Sequence, residues 1–201
     1  MYNYCFNNPI NQSDSSGTMP AFINTLVSKM RKTFNQFRTK YGKFLSTCFR
    51  SINLNEEEQV LVATIAAEAT VAANGNPVSS EARQAMANVV LNRVGQREWS
   101  QYSSVAEICQ YTGFDGYGNE NYEECLKYLN NRDGSNKTYE AIIWDVMTAY
   151  SNDITNGCQL YYTPAAMTNA SGVPNWNFDV LIEVNITGID PYYEGRFYKY
   201  R

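Results

Sequence analysis

Apolar and polar positions follow one rhythm through most of the chain and a different one at its end. From Ala21 the apolar residues Ile23, Leu26, Val27, Met30, Phe34, Phe37, Tyr41, Phe44, Leu45 and Cys48 recur at spacings of three and four. That predicts an amphipathic helix with an aromatic stripe on one face and its lysines and arginines largely elsewhere. Residues 1–19 before it are rich in Asn and Ser and broken by Pro9 and Gly17, and read as a polar tail. Asn55-Glu-Glu-Glu58 is a helix start, with Asn55 able to cap and Glu58 at the reciprocal position of a capping box. This helix is expected to run to about Ala73 and end at Asn74-Gly-Asn-Pro77. A second helix is expected from Ser79 or Ser80 to Gly95, with Ala82, Ala85, Met86, Val89, Val90 and Val94 apolar. A short helix near 104–110 precedes the loop Tyr111–Asn119, which carries three glycines. Helical patterns return at 120–130 and 137–153, the latter with Tyr139, Ile142, Ile143, Val146, Met147 and Tyr150 on its core face.

After Gly157 the period shortens to two. Gln159-Leu-Tyr-Tyr-Thr163 reads as a short strand. A longer strand is expected over Phe178–Thr187, with Phe178, Val180, Ile182, Val184 and Ile186 on one side, and a third over Arg196–Tyr200. The fold class is therefore α+β, mainly α. Residues 55–201 form a helical domain with a small antiparallel sheet near the C-terminus, and residues 1–54 form an appended segment with the amphipathic helix.

Charge separates the same two parts. Residues 1–50 carry seven basic groups against Asp14 alone, a net +6, while the remainder carries nine basic and nineteen acidic groups, a net −10. The acidic body gives no support to nucleic-acid binding. The basic helix has three readings: packing on its own protein, lying on a membrane surface, or docking residues 21–50 to a virion or secretion machinery. The first twenty residues lack a continuous apolar stretch, so no secretory signal peptide is expected, and residues 60–73 are too short to span a bilayer. The five cysteines show no CxxC spacing; a Cys109–Cys125 disulfide is compatible with the sequence but not specified by it. Sixteen tyrosines and three tryptophans suit either carbohydrate stacking or ordinary core and interface packing.

Candidate chemistry narrows sharply because the chain has no histidine. Ser-His-Asp and Cys-His sites and His-ligated zinc are excluded, and no phosphate-binding glycine loop is present. No cofactor is expected. Carboxylate acid/base chemistry survives, with glycoside cleavage its commonest setting. Glu68 is the only ionisable residue between Glu58 and Glu81, inside the apolar run Val60–Ala73. Such an environment disfavours the charged form and raises the pKa, which suits a proton donor; the alternative is a buried glutamate held for structure.

Ile65-Ala-Ala-Glu-Ala69 followed by Asn88-Val-Val-Leu-Asn-Arg-Val94 resembles the cell-wall hydrolases of the spore-cortex-lytic (SleB-type) family. Leu160-Tyr-Tyr-Thr-Pro164, Trp176 and Gly195-Arg-Phe-Tyr-Lys199 fall in the order of that family's later landmarks, so the resemblance covers about residues 56–200. It implies a lysozyme-like domain that cleaves the MurNAc–GlcNAc bond of peptidoglycan glycan strands, with Glu68 as the acid. Many members are lytic transglycosylases, in which one carboxyl group acts as acid and then as base. The site of action would be the cell wall or periplasm, reached through a phage particle, a holin or a dedicated secretion route. The chain departs from the family pattern in two places: Val71 and Ala72 stand where a second acid is frequent, and Gly195-Arg196 where a histidine is frequent. Candidate substrate-binding residues are Phe114, Asp115, Tyr117, Tyr161, Tyr162 and Trp176, the aromatic ones either stacking on sugar or orienting Glu68. A second carboxylate, if used, would come from Asp115, Glu120 or Glu183, and Asn92 and Arg93 are read as braces for the helix pair.

Overall fold

Asn55 opens the first helix through the capping box its sequence predicts. Its side chain accepts the Glu58 N–H at 3.0 Å, and its own N–H donates to the Glu58 carboxylate at 2.8 Å. A computed structural model describes residues 53–72, 74–169 and 171–201; the tail and amphipathic helix expected over residues 1–50 lie outside the described residues. Helix α1 spans Glu56–Glu68, and Leu61 to Ala66 are buried all round it. A helix apolar on every face must be surrounded. Around it stand α2 (Ser80–Arg93), α3 (Val105–Tyr111), α4 (Glu120–Asn130) and α5 (Lys137–Ala149), each packed against α1. Leu54, Val89, Ile108, Cys125, Ile142 and Val146 complete this core from every neighbouring segment.

Polar cross-links hold α2 and α5 together. The Arg83 Nε–H donates to Asp145 at 2.7 Å, and Ser80 bonds the same carboxylate. The Asn88 side chain donates to Ala149 O at 3.0 Å and accepts the Ile154 N–H at 3.2 Å. Asn92 reaches Asp153, Thr155 and Cys158 O. Asn92 thus braces α2 to the segment 153–158 that follows α5, rather than helix to helix as the sequence suggests.

Helix α1 ends five residues before the sequence predicts. Ala69 leaves the helical region (φ −131°, ψ 30°), and Thr70 turns its hydroxyl back onto Ala66 O. The β-branched pair Thr70-Val71 then enters a tight reversal, with Val71 bridged to Pro77 and Gly75 at φ +81°. Glu68 is consequently not inside the helix but its last residue.

The sheet is antiparallel, with β3 (Arg196–Tyr200) between β1 (Leu160–Tyr162) and β2 (Leu181–Val184). Tyr161 pairs with Phe197, and Leu160 with Tyr198. Period-two alternation turns Tyr161, Phe197 and Val184 onto the helical core. Leu160, Tyr162, Leu181 and Tyr198 form a second cluster on the other face, with Trp176 against it. The middle strand of the sequence reading is corrected here. Residues 178–180 form a 3-10 turn, and the strand begins at Leu181, which is buried while Val180 and Ile182 are exposed. Phe178 packs edge-on to Tyr198 at 5.5 Å, and that contact replaces the expected ladder position. The Cys109–Cys125 disulfide does not form: Cys109, Cys125 and Cys158 are buried free thiols, each held by burial at a pKa of about 12.

Candidate active site

The early end of α1 leaves Glu68 partly buried at the helix terminus, where two distant segments meet its carboxyl group. The Gly116 N–H, from the loop between α3 and α4, donates to Oε1. The Tyr161 hydroxyl, from β1, donates to Oε2 at 3.0 Å. Each carboxyl oxygen therefore has its own donor while Glu68 remains only partly buried. Gly116 is required by space rather than by φ. A Cβ there would sit 2.8 Å from the Ala67 Cβ and 3.0 Å from the Glu68 Cγ and N. Only a residue without a side chain lets that backbone approach the helix end.

Burial raises the Glu68 pKa above the ordinary carboxylate value, and the negative charge of Asp115 adds to the rise. The Gly116 and Tyr161 hydrogen bonds pull the other way by stabilising the anion, and burial prevails. The C-terminal end of the α1 dipole also opposes a negative charge at this position. Burial pushes the Tyr161 hydroxyl well above its usual range, and the neighbouring Glu68 adds to this. Tyr161 therefore stays a donor wherever Glu68 is titrated.

The two donor segments are tied together from below by Arg93, the last residue of α2, which is buried. Its Nε–H donates to Gln159 O at 2.7 Å, while Nη1 donates to Thr112 O at 2.8 Å and to the Thr112 hydroxyl at 2.6 Å. The guanidinium lies 4.4 Å from the Trp99 ring centroid and 4.9 Å from that of Phe114. Desolvation lowers its pKa to about 10.

The residues expected at the site divide into two groups. Glu68, Asp115 and Tyr161 are brought together, and Tyr117 lies on the same loop with its ring 5.0 Å from that of Tyr122. Phe114 belongs to the same cluster but is buried against Arg93 and Tyr161, so its ring is core and not a sugar-stacking face. Tyr162 and Trp176 are displaced altogether. They pack edge-to-face at 5.7 Å on the opposite face of the sheet from Tyr161, because adjacent strand residues point to opposite sides. Of the further carboxylates, Asp115 is exposed beside Glu68 and Glu120 is exposed in the first turn of α4. Glu183 lies 3.8 Å from Arg196 on the far face of the sheet. Sequence reasoning missed the Gly116 N–H and Thr112. The glycine spacing marked a turn but not an approach of backbone to a carboxylate.

Among the described residues no group of His, Cys, Asp and Glu could hold a metal ion, and no helix is long and apolar enough to cross a membrane. No family model, no curated protein and no solved structure matches the chain.

Proposed function

We propose that the domain is a peptidoglycan-cleaving glycosidase of the lysozyme-like class, acting as a lytic transglycosylase with Glu68 as acid and then base. The observation that carries this reading is a half-buried carboxyl group of raised pKa with a separate hydrogen-bond donor on each oxygen. Protonated Glu68 delivers its proton to the glycosidic oxygen as the C1–O bond of MurNAc breaks. The glutamate anion left behind is met by donors already in place, so little reorganisation accompanies the charge. The MurNAc 6-hydroxyl then closes onto C1, and Glu68 takes the proton that hydroxyl loses. The products are a 1,6-anhydro sugar and a free 4-hydroxyl on GlcNAc, and Glu68 returns to its starting form. One carboxyl group suffices for both halves, which matches Val71 and Ala72 at the positions following it.

A muramidase is the second reading, favoured by a single observation: Asp115 is close enough for its charge to act on Glu68. In that case Asp115 would orient a water, and the product would carry a reducing end. Mass spectrometry of muropeptides released from purified sacculi separates the two. The full chain is expected to yield anhydro-muropeptides, and Glu68→Gln to release them about 10²- to 10⁴-fold more slowly. Reducing-end products would move the assignment to the muramidase. Equal inactivity of both proteins across several wall types would leave a non-enzymatic virion protein that keeps the fold.

A further inference from the structure

We infer that Arg93 is a positioning residue for Glu68: one buried guanidinium sets the two chain segments that supply the donors to the two carboxyl oxygens. The inference rests on Glu68 being the acid. On one side Arg93 grips Thr112 by backbone and side chain and lies against the Phe114 ring. Gly116 follows Phe114 in the same short loop. On the other side Arg93 holds Gln159 O, two residues before Tyr161. The Phe114 and Tyr161 rings then meet at 6.0 Å above it, closing the ring of contacts.

Stability alone is a poor account of this arrangement. A buried guanidinium whose hydrogen bonds go to carbonyls and a hydroxyl, with no carboxylate among them, bears a large desolvation cost. What the cation supplies is geometry. A planar fork fixes two acceptors from separate segments at once, and the cation also lies over the Trp99 and Phe114 rings. An apolar residue of similar volume would fill the space but would leave Thr112 and Gln159 free to shift relative to each other. A shift of a few tenths of an ångström there changes the hydrogen bonds made by Gly116 and Tyr161.

The test reads those hydrogen bonds without relying on activity. In the full, isotope-labelled chain, the Gly116 amide resonance follows the titration of Glu68, because its N–H points at Oε1. The groups facing Glu68 are Tyr161 from β1, Asp115 from the loop and Cys109 from α3, with Arg93 acting through Tyr161. In Arg93→Met the pH-dependent excursion of Gly116 is expected to fall at least twofold, while the amides of Val89 and Ile142 in the core stay in place. A folded Arg93→Met protein whose Gly116 excursion equals that of wild type would overturn the inference. Thr112→Val removes one Arg93 acceptor and leaves the cation, so it gives a smaller loss in the same direction. If Arg93→Met does not fold, an unchanged excursion in Thr112→Val overturns the inference instead. Failure of the glycosidase reading looks different: Glu68→Gln would release muropeptides as fast as wild type, with Gly116 losing the Glu68 part of its titration, and keeping only that of the adjacent Asp115, in that variant regardless.

Discussion

The two ends of α1 treat their carboxylates in opposite ways. At the N-terminal end Glu56, Glu57 and Glu58 stand in the first turn, where the helix dipole favours negative charge. Glu58 finds its partner three residues away, in Asn55. At the C-terminal end Glu68 stands where the dipole opposes its charge, and its partners lie 48 and 93 residues along the chain. At the first end the dipole and the local capping box carry most of the load, and only Glu57 reaches far along the chain, accepting the Val105 N–H at 2.8 Å. The second is settled only by the tertiary fold, and burial there favours the protonated form of the carboxyl group. A glutamate placed against the helix dipole and rescued by distant donors is therefore more informative than three placed with it.

The comparison breaks most directly at Gly116. Gly116→Ala places a methyl group 2.8 Å from the Ala67 Cβ and pushes the loop off the helix end. Muropeptide release is expected to fall on the order of 10²-fold, as for loss of one fixed donor to a developing charge. Stability falls by about 1–3 kcal/mol through overpacking, readable by denaturant unfolding. Wild-type activity in that variant would mean that the Gly116 hydrogen bond is dispensable.

The same contrast explains what was legible from the sequence. The starts of α1, α2 and α4 follow from Asn55, Ser79 and Asn119, whose side chains accept the backbone N–H groups of their own first turns. The end of α1 was misjudged because apolar Val71 and Ala72 extend the helical pattern, whereas pairing of Val71 with Pro77 decides the backbone there. In β2 a run of alternating apolar residues suggested one long strand. Packing of Phe178 and Trp176 onto Tyr198 consumes its first part and buries Leu181 in place of Ile182. Glu68 itself was legible, since a lone carboxylate in an apolar run is anomalous on any reading. Of its donors, Tyr161 stands among the residues expected to orient Glu68, although only strand parity separates it from Tyr162, whereas the Gly116 backbone N–H has no sequence signature.

Tyr161→Phe tests the second donor with less disruption, since the ring can keep its contacts to Phe114 and Phe197. Loss of one hydrogen bond to a charged group is worth about 1.5–3 kcal/mol, so a rate loss of about 10- to 10²-fold is expected. The pH profile supplies the sign. The Tyr161 hydroxyl lowers the Glu68 pKa, so removing it raises that pKa further. An acid works only while protonated, so activity declines as pH rises through the Glu68 pKa. That alkaline limb should move to higher pH in Tyr161→Phe even as the maximal rate drops. A limb that stays in place would show that the hydroxyl does not act on Glu68.

The smallest effects set the two helix ends against each other in stability alone. Asn55→Ala leaves the Glu58 N–H without its side-chain acceptor, which costs about 1 kcal/mol, or roughly 2–4 °C in Tm for a domain of this size. Activity per folded molecule should not change. Glu68→Gln is expected to act in the other direction. The folded chain binds a proton at Glu68 more tightly than the unfolded chain, whose glutamates titrate near about 4.3. The stabilisation from protonated Glu68 is therefore full below that value and is lost as pH rises to the higher folded pKa. Glutamine carries no charge at any pH, can still accept the Gly116 N–H, and presents its amide N–H to the Tyr161 oxygen. Thermal unfolding at pH 7 should thus place Glu68→Gln above wild type and Asn55→Ala below it. The Glu68→Gln advantage should shrink toward pH 4, and the Asn55→Ala deficit should persist wherever the carboxylates remain ionised. If both substitutions lowered Tm equally at pH 7, Glu68 would be an ordinary structural partner, and the two ends of α1 would no longer differ in kind.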